Sequence, residues 1–496
     1  MKQWIRKMYE SSVIRYIFFG GCTTMVNLVS FFILRKLKVE LNIANIISII
    51  LAILFAYVVN SKYVFQDKCE TLKDHVQPFC KFVSARLITM VIEVGGVWLL
   101  VSVMGLNDMI GKFLTQFIVL ILNYVFSKFL CLQQGNQIMK EREGKLMTLE
   151  EAIAKIKPLD HNAMEIAQKR WDSIAKPLHS LGKLETLLIQ IAGITGNAEV
   201  DLSRRGLIAM CADNGVVEEG VTQTGQEVTA IVAENFLKYD TSVGVMCKQN
   251  HAEIFPVDMG MVTDTKVRTD HKIAYGTQNM TKGPAMTREQ AVKGLEAGID
   301  MVRELNDKGY RILATGEMGI GNTTTSSAVA SVLLKQPVEE MTGRGAGLTS
   351  EGLVRKINAI KKAIALNEPD PEDAIDVLAK VGGLDIAGMA GVFLGGAVYG
   401  IPVVMDGFIS CVSALIAMRI CPAARDYILA SHVSNEPAAH LILENMGKEA
   451  IIHADMCLGE GTGAVALFPI LDLAAAVYHS MSTFDDIHVE QYEELK

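Results

Sequence analysis

The sequence predicts a chain in two parts. The first is an all-α membrane domain with four transmembrane helices, and the second is an α/β domain with a Rossmann-like parallel sheet and a small helical subdomain. Two observations carry this prediction. Apolar residues are concentrated in four long stretches within the first 130 or so positions. After them, short β-rich runs alternate with helical segments, which is the pattern of a parallel sheet with crossover helices.

The four apolar stretches cover about residues 14–34, 43–59, 87–104 and 109–130. Each is near the roughly 20 residues that cross a bilayer as a helix. The first stretch is too long for the apolar core of a signal peptide, and three more follow it. Buried helices of a soluble domain are the alternative, because Asn45, Arg86 and Glu93 lie in or beside the second and third stretches. The mean hydropathy of +0.28 is high for a purely soluble protein of this size.

Basic residues near the ends of these stretches indicate the orientation. They precede the first stretch, lie between the second and third, and follow the fourth, whereas the turn at 105–108 has none. Arg35, Lys36 and Lys38 in the first outside loop argue the other way. We expect a multi-pass protein of the cytoplasmic membrane, in contact with membrane lipid, with both ends of the membrane domain and the whole second domain in the cytoplasm.

The composition changes after residue 133. Residues 134–146 are polar and charged, which is typical of a linker. The predicted divisions are therefore a membrane domain at 1–133, a linker at 134–146 and a second domain at 147–496. The apolar runs at 392–404 and 408–420 are too short and too interrupted to be spans, with Pro402, Asp406 and Arg419 among the interruptions.

Charge and cysteine content exclude several classes of protein. A formal net charge of −8 argues against nucleic acid as the main partner. Nine cysteines, an odd number with no Cys-x-x-Cys pair, give neither a zinc site nor an obvious disulfide framework. We expect reduced thiols, no metal and no cofactor.

In the second domain, a polar motif follows each of four β-like runs. The runs lie at 206–210, 252–257, 311–314 and 401–405, and helical periodicity is clear at 160–192, 226–237, 287–308 and 353–365. The motifs contain Asp213, Asp258, Glu317 and Asp406. Because ligands of such sheets bind at the carboxyl ends of the strands, we expect the four motifs to form one pocket.

Two glutamates set among glycines carry the strongest chemical signal. Residues 316–325 read GEMGIGNTTT, and residues 458–463 read LGEGTG. Glycine lets backbone amides approach a ligand closely, and a carboxylate among them can accept a proton from a bound nucleophile. Gly-Glu-Gly is also an ordinary exposed turn. A third glycine loop at 342–348 and a helix start near Asn322, which is a ready anion site, favour an enzyme of phosphorylated small molecules.

About 350 residues, from 147 to the end of the chain, resemble the nicotinate-nucleotide:dimethylbenzimidazole phosphoribosyltransferase family. The matching motifs, in family order, are KP at 176–177, SLGKLE at 180–185, QEVT at 226–229, GTQN at 276–279, GPAM at 283–286, GEMGIGNTT at 316–324, GRGAG at 343–347, GGLDIAGM at 382–389, SH at 431–432 and LGEGTG at 458–463. The resemblance implies a homodimer. It also implies transfer of the phosphoribosyl group of nicotinate mononucleotide to 5,6-dimethylbenzimidazole, or a related base, giving α-ribazole 5′-phosphate and nicotinate in cobalamin nucleotide-loop assembly.

The same resemblance implies roles for individual residues. Glu460 matches the general base, Glu317 a second acid that faces the ribose, and Lys356 a cation near the same site. Lys356 could instead be a solvated lysine on a helix face, and His432 is expected to be structural. The residues predicted to bind substrate are Gly319, Ile320, Gly321, Asn322, Gly343, Arg344 and Gly345, whose amides would hold the phosphate, together with Asp213, Asn214 and Gln226.

Three positions depart from the family pattern. Asn214 stands where the family usually has His, His179 where it usually has Gly, and Gln278 where it usually has Arg. Asn214 is expected in the pocket of the acceptor base. The choice of acceptor therefore stays open, and adenine or a phenol could replace dimethylbenzimidazole.

The first domain resembles the GtrA-like family of small four-span membrane proteins, which is associated with moving lipid-linked sugars. Arg15-Tyr16, Gly20-Gly21, Asn60 and Asn123 carry this resemblance, and residues 57–65 and 122–130 repeat one another. Two other functions stay open. The membrane domain could be a translocation factor for lipid-linked sugars fused to an inactive transferase-like domain, or it could be a bare anchor for the enzyme.

Overall fold

The computed structural model describes residues 147–492 and scattered positions before them, namely 22, 23, 25, 26, 29, 30, 33, 34, 36–39, 47, 50–56, 59, 99, 100, 104 and 105. The chain divides into two compact units, Met1–Lys145 and Leu146–Lys496. Most of the four predicted spans and the whole predicted linker at 134–146 lie outside the described residues.

In the first unit, the described positions between 22 and 36 and between 47 and 59 are all helical. Ala52, Ala56 and Val59 are buried and share one helix face, at the i, i+4, i+7 spacing. Large apolar side chains at other positions, such as Met25 and Leu54, are exposed. Helices that pack through small residues and turn apolar side chains outward are typical of membrane domains.

The second unit is built on a five-stranded parallel sheet with the order β2-β1-β3-β4-β5. The strands are β1 Arg205–Ala212, β2 Ala252–Gly260, β3 Ile312–Met318, β4 Val403–Met405 and β5 Ile428–Ala430. The first four confirm the four predicted β-like runs. Strand β5 was not predicted, because three apolar residues carry no periodicity that separates a strand from a buried helix segment.

Helices follow the strands and cover the sheet. They are α1 Leu149–Lys155, α2 His161–Ser173, α3 Lys183–Thr195, α4 Glu227–Phe236, α5 Ser242–Gln249, α6 Arg288–Asp307, α7 Asn322–Leu334, α8 Val338–Met341, α9 Ser350–Asn367, α10 Ala374–Val381, α11 Leu384–Tyr399, α12 Phe408–Ile420, α13 Ala439–Asn445 and α14 Thr462–Ser480, with 3-10 turns at Gly215–Glu219 and Pro422–Tyr427.

Local chemistry sets the ends of these helices. Thr287 caps α6, since its hydroxyl accepts from the Gln290 amide and the Gln290 side chain accepts from the Thr287 amide. The prediction of one helical segment at 160–192 is wrong between residues 174 and 182, where the chain is not helical. Ile174 leaves the helical region at the end of α2, and Pro177 follows it without an N–H to donate, so α3 begins separately.

The strand order indicates where on the sheet a ligand binds. A sheet of order 2-1-3-4-5 is doubly wound in the flavodoxin manner, with the chain direction across the sheet reversing between β1 and β3. The prediction of a parallel sheet is thus confirmed, in a strand order other than that of the Rossmann dinucleotide-binding fold to which it was likened. Ligands of such sheets bind outside the carboxyl ends of the strands near the reversal.

One described helix, α14, is long and apolar enough to cross a membrane by length and composition. Its side chains Leu467, Phe468 and Leu471 belong to the hydrophobic core of the second unit, and it packs against α3 and α5. Helix α14 is therefore a core helix of the α/β unit.

Helices α6 and α11 touch through their backbones. A Cβ atom on Gly298 of α6 would collide with the carbonyl oxygen of Gly388, and one on Gly391 of α11 would collide with the carbonyl oxygen of Leu295. Interiors this closely packed do not accept an added methyl group without a shift of the backbone.

We expect Gly298→Ala to destabilise the second unit by about 1–3 kcal/mol, because the methyl group forces α6 and α11 apart. Hydrogen exchange of amides in the two helices measures the change. Gly283→Ala is the matched control, since a Cβ atom there meets nothing within 4 Å. Equal exchange in the two variants would contradict the backbone contact.

Candidate active site

The loops after β3 and β4 and the loop before α14 meet in a cleft of about 300 Å³. Both glutamates of the Gly-Glu motifs, Glu317 and Glu460, line it. The remaining lining residues are Val232, Met318, Gly319, Ile320, Asn322, Thr323, Gly345, Ala346, Asp406, Gly407, Phe408, Ile409, Ser410, His432, Ser434, Glu436, Cys457, Leu458 and Gly459.

The two Gly-Glu motifs interlock. A Cβ atom on Gly316 would collide with the carbonyl of Glu460, and one on Gly459 would collide with the Glu317 carboxyl. The Glu460 amide donates to Glu317 Oε1 at 3.4 Å. Glycine is therefore required beside each glutamate, because the neighbouring motif occupies the space of a side chain.

Glu460 has an unusual backbone conformation. Its φ is +62°, between Gly459 at +90° and Gly461 at +99°. A left-handed conformation is costly for a residue with a side chain and persists where the surroundings enforce it, most often at functional sites. The contacts with Gly316 and Glu317 enforce it in this loop.

The Glu460 carboxylate lies at the amino end of α5. Its Oε2 accepts from the Val243 amide at 3.1 Å, and the Thr241 side chain also bonds to it. Burial raises the pKa of Glu460 above its ordinary value, while these hydrogen bonds lower it. A carboxylate with a pKa raised towards neutrality is suited to accept a proton from a bound substrate.

Glu317 is buried with two other polar side chains. Asn322 Nδ2 donates to Glu317 Oε2 and also to Asp385 Oδ2, the latter at 3.0 Å. Burial raises the pKa of Glu317 to about 8, and the charges of Asp385 and Asp406 act in the same direction. Asp385 was not predicted as a site residue, although it lies in the GGLDIAGM motif.

Asp406 caps α14. Its carboxylate accepts from the amides of Gly461 at 3.1 Å, Gly463 at 2.7 Å and Ala464 at 3.1 Å. The imidazole of His432 fills the space beside Gly463, where a Cβ atom would collide with the ring. The first amides of α14 are thus already bonded to an acid. Asp406 was predicted only as part of the polar motif after β4, and its position after that strand was the available signal.

The glycine loop after β3 uses two of the amides predicted to hold phosphate. The Ile320 amide donates to Thr229 Oγ1 at 3.1 Å, and the Asn322 amide donates to the Gly319 carbonyl at 3.0 Å. Those two amides are engaged within the protein, which corrects the prediction for them. Gly321 does not line the cleft, whereas Gly319 does.

In the second predicted phosphate loop, too, only some of the predicted residues line the cleft. Gly345 lines the cleft, whereas Gly343 and Arg344 do not. Arg344 is exposed, and its guanidinium donates to the Leu348 carbonyl at 2.8 Å and to Ser350 Oγ at 3.2 Å. Its side chain therefore stabilises the loop that precedes α9 and does not point into the cleft.

Lys356 is 1% exposed, so the alternative of a solvated lysine is wrong. Its Nζ donates to Thr323 Oγ1 at 2.9 Å and to the Gly343 carbonyl at 3.1 Å. The ammonium group lies behind Thr323 and Gly345, which line the cleft. Burial lowers the pKa of Lys356 to about 8, and the charge of Glu436 opposes that shift.

Asp213, Asn214 and Gln226 lie one layer behind the cleft. Asn214 is fully buried, and its Nδ2 donates to the Ile320 carbonyl at 3.4 Å. Gln226 Nε2 donates to the Asn214 carbonyl at 3.2 Å, and Asp213 Oδ2 accepts from the Val262 amide at 2.8 Å. These residues support the glycine loop.

Only two of the four polar motifs line the cleft. Asp213 follows β1 and Asp258 lies near the end of β2, on the side of β3 away from β4. Glu317 lies near the end of β3, and Asp406 follows β4. The expectation of a single pocket for all four is corrected accordingly. Of the other departures from the family pattern, Gln278 is exposed and His179 has a φ of +56°, a conformation that glycine adopts without strain.

One cluster in the described part of the chain has the composition of a metal site, namely Asp270, His271 and Glu304. Arg268 already bonds both carboxylates, with distances of 2.8 Å to Asp270 Oδ1 and 3.1 Å to Glu304 Oε2. Because the guanidinium supplies the positive charge, the cluster is a partly buried ion-pair network.

Residues 156–489, about two thirds of the chain, match the family model described as phosphoribosyltransferase. The chain belongs to this phosphoribosyltransferase family. Residues 15–132 match a second model, described as the GtrA/DPMS transmembrane domain. Both resemblances seen in the sequence are thereby confirmed.

Relatives within the phosphoribosyltransferase family are similar over their whole length. A protein from Ruminiclostridium cellulolyticum, named nicotinate-nucleotide–dimethylbenzimidazole phosphoribosyltransferase, is 51% identical over 352 residues, which cover 71% of this chain and 100% of the relative. A protein of the same name from Clostridium acetobutylicum is 49% identical over 352 residues, covering 71% of this chain and 100% of the relative. The crystal structure of CobT from Thermus thermophilus matches with a TM-score of 0.64 at 36% identity, covering 67% of this chain and 100% of that one.

The buried ammonium of Lys356 leads to a prediction about stability and pH. Because burial lowers the pKa of Lys356 to about 8, the folded protein releases this proton at a lower pH than the unfolded chain does. The free energy of unfolding should therefore rise, relative to Lys356→Met, as the pH increases from about 8 towards 10.5, by at most about 1.4 kcal/mol per pH unit.

Pulse proteolysis in urea at several pH values measures this difference. Lys361→Met on the same helix is the control, because Lys361 is half-exposed and pairs with Glu339. A pH-independent difference between the wild-type chain and Lys356→Met would show that Lys356 is accessible to water.

Proposed function

We propose that this chain transfers the phosphoribosyl group of nicotinate mononucleotide to 5,6-dimethylbenzimidazole, giving α-ribazole 5′-phosphate and nicotinate for the nucleotide loop of cobalamin. The observation that carries the proposal is the interlock of the two Gly-Glu motifs, which brings Glu317 and Glu460 into one cleft. Identity of 51% over the full length of a relative with that name supports it.

The reaction forms one bond at the ribose C1′ and breaks another. One ring nitrogen of the benzimidazole attacks C1′ from the face opposite nicotinate. The electron pair of the breaking C1′–N bond stays on the nicotinate ring, which leaves as a neutral pyridine. The other ring nitrogen of the acceptor then gives its proton to the carboxylate of Glu460, which acts as the general base.

The cleft is lined by both apolar and acidic side chains. The apolar ones include Val232, Phe408, Ile409 and Leu458, and they suit a flat aromatic acceptor. Positive charge develops at C1′ as the pyridinium departs. A carboxylate fixed close to that centre, as in Glu460, stabilises the charge without any rearrangement during the reaction.

We propose that the phosphate lies against Gly319 and Gly345. Lys356 supplies positive charge from behind this wall, since a Cβ atom on Gly345 would lie 3.5 Å from its Nζ. Asn214 and Gln226 act indirectly by holding the Ile320 carbonyl and the loop that contains it. Asn214, in place of the usual His, therefore acts on the choice of acceptor through the position of this loop.

We propose further that residues 1–133 form a four-span membrane domain with both ends in the cytoplasm, that 134–146 are a linker, and that 147–496 form the transferase domain, with a small helical subdomain and a homodimeric assembly. The match of residues 15–132 to a transmembrane family supports the first of these. Contact with membrane lipid follows from such a domain.

We expect the full-length chain in lipid nanodiscs to release nicotinate when it is supplied with nicotinate mononucleotide and dimethylbenzimidazole. Glu460→Gln should lower kcat by roughly 10²–10⁴-fold, because the amide cannot accept the acceptor proton. Chromatography of the released nicotinate measures the rate, and Glu490→Gln, at an exposed position, is the matched control.

An unchanged rate in Glu460→Gln would exclude this base. No release by the wild-type chain with any benzimidazole, purine or phenol would favour the other function, in which the membrane domain is a translocation factor for lipid-linked sugars and the transferase-like domain is inactive.

The proposed topology predicts the accessibility of two positions. In a chain otherwise free of reactive cysteines in its first 133 residues, an impermeant maleimide added to intact cells should label Asp108→Cys. It should label Cys69 only after the membrane is permeabilised, because the positive-inside rule places the Cys69 loop in the cytoplasm. The reverse labelling pattern would contradict the proposed orientation and favour the opposite one.

A further inference from the structure

Three buried side chains connect the cleft to the interior. The amide group of Asn322 donates to Glu317 Oε2 on one side and to Asp385 Oδ2 on the other, at 3.0 Å. All three residues are buried, with exposures of 7% for Glu317, 5% for Asn322 and 0% for Asp385. Two carboxyl groups from β3 and α11 thus share one neutral amide.

The surroundings offer little to balance two negative charges. The charged groups that raise the pKa of Glu317 are the acids Asp385 and Asp406. The Glu460 amide faces Glu317 from the loop before α14, while the Glu460 carboxylate bonds to α5. From β1, the buried thiol of Cys211 is neutral, since burial and the charges of Asp258, Glu317 and Asp385 raise its pKa.

One oxygen of Asp385 is left without a clear partner. Among the residues described, its Oδ1 has no hydrogen bond of ordinary geometry. Burial and the charge of Asp213 raise its pKa, while Asn322 and the amides of Asp385 and Ile386 at the start of α11 lower it. Its position is nevertheless fixed tightly, because Cβ atoms on Gly319 or Gly383 would lie 2.7 Å and 2.5 Å from its oxygens. An under-satisfied buried acid that is held this closely requires an explanation.

Two desolvated carboxyl groups bridged by one amide do not both ionise near neutral pH, because each charge opposes the other in a medium of low dielectric constant. The pKa shifts of the two carboxyl groups agree with this. Burial raises the pKa of Asp385 to about 6 and that of Glu317 to about 8. In the neutral range, Asp385 therefore carries the charge and Glu317 the proton.

We propose that Asp385 is a positioning residue for the transferase reaction. Through Asn322 it fixes the Glu317 carboxyl and keeps it protonated, so that Glu317 donates a hydrogen bond to a ribose oxygen of the nucleotide substrate. This inference rests on the function proposed above.

The geometry determines which oxygen of Glu317 has the proton. Oε2 accepts from Asn322 in the bridge to Asp385, and Oε1 accepts from the Glu460 amide at 3.4 Å, a bond long enough to leave Oε1 as the site of the proton. Oε1 lies beside Gly459, which lines the cleft. A proton on Oε1 is therefore the one that a bound ribose can reach. The two glutamates then have different states, with Glu460 as the ionised base and Glu317 as the neutral donor, a division that enzymes obtain from different environments.

Infrared spectroscopy of the full chain, without substrate, tests this directly. At pH 7 the wild-type chain should show the carbonyl stretch of a protonated carboxyl group, and Glu317→Gln should lack it. In Asp385→Asn the band should disappear at a pH lower by one unit or more, a tenfold or greater loss of proton affinity, because the neighbouring charge is gone. In Asn322→Ala it should persist to higher pH, since a hydrogen bond to the charged form is lost.

Asp472→Asn, at a half-exposed position that pairs with Arg205, is the control and should leave the midpoint unchanged. The kcat/KM for nicotinate release should fall as the pH is raised. The pH at the midpoint of this fall should follow the same order, lowest in Asp385→Asn and highest in Asn322→Ala. A residue with only a structural role would lower the rate without moving these midpoints.

The absence of a Glu317-dependent band at pH 7 would overturn the inference, and so would equal midpoints in Asp385→Asn and the wild-type chain. If Asp385→Asn does not fold, the upward shift in Asn322→Ala and the wild-type band decide the question. Because the infrared band needs no substrate, its failure is distinct from the failure of the transferase, which would leave the band intact and nicotinate unreleased.

Discussion

The contact between the loop at 459–461 and the end of β3 determines the rest of the site. Gly316 and Gly459 let two backbones meet where side chains would collide, and the Glu460 amide bonds to Glu317 across that contact. The strained backbone of Glu460 is enforced from both sides. As a result, the carboxyl groups of two distant parts of the chain have fixed positions before any substrate binds, which is the preorganisation that catalysis by positioning requires.

Desolvation then distinguishes the acids that this contact brings together. Asp406 is buried but accepts three backbone amides at the start of α14, so its charge is supported. Glu460 is partly buried and bonds to the first turn of α5. Glu317 is buried, accepts one backbone amide at 3.4 Å and shares the Asn322 side chain with Asp385. Carboxyl groups in one site thus have different proton affinities, because their burial and the donors around them differ.

Much of this was predictable from the sequence because it follows from local rules. Strands β1 to β4, the start of α6 near Thr287 and the two Gly-Glu motifs all have signals within a few residues. The short β5, the break between α2 and α3 and the burial of Lys356 depend on packing between distant segments, which periodicity does not show. The roles of Asp385 and Asn214 could not be predicted for the same reason, since their partners are about 60 and 110 residues away in the chain, Asn322 and Ile320 respectively.

The arrangement also resolves a conflict of charge. Nicotinate mononucleotide carries a phosphate and a carboxylate, yet Glu317, Asp406, Glu436 and Glu460 line the cleft. A neutral Glu317 does not repel the anionic substrate. The amides bonded to Asp406 reduce the repulsion by that carboxylate, and the charge of Lys356 offsets that of Glu436. That leaves Glu460 as the acid that carries a charge in the proposed mechanism. In that mechanism its charge stabilises the positive charge that develops at C1′ in the transition state.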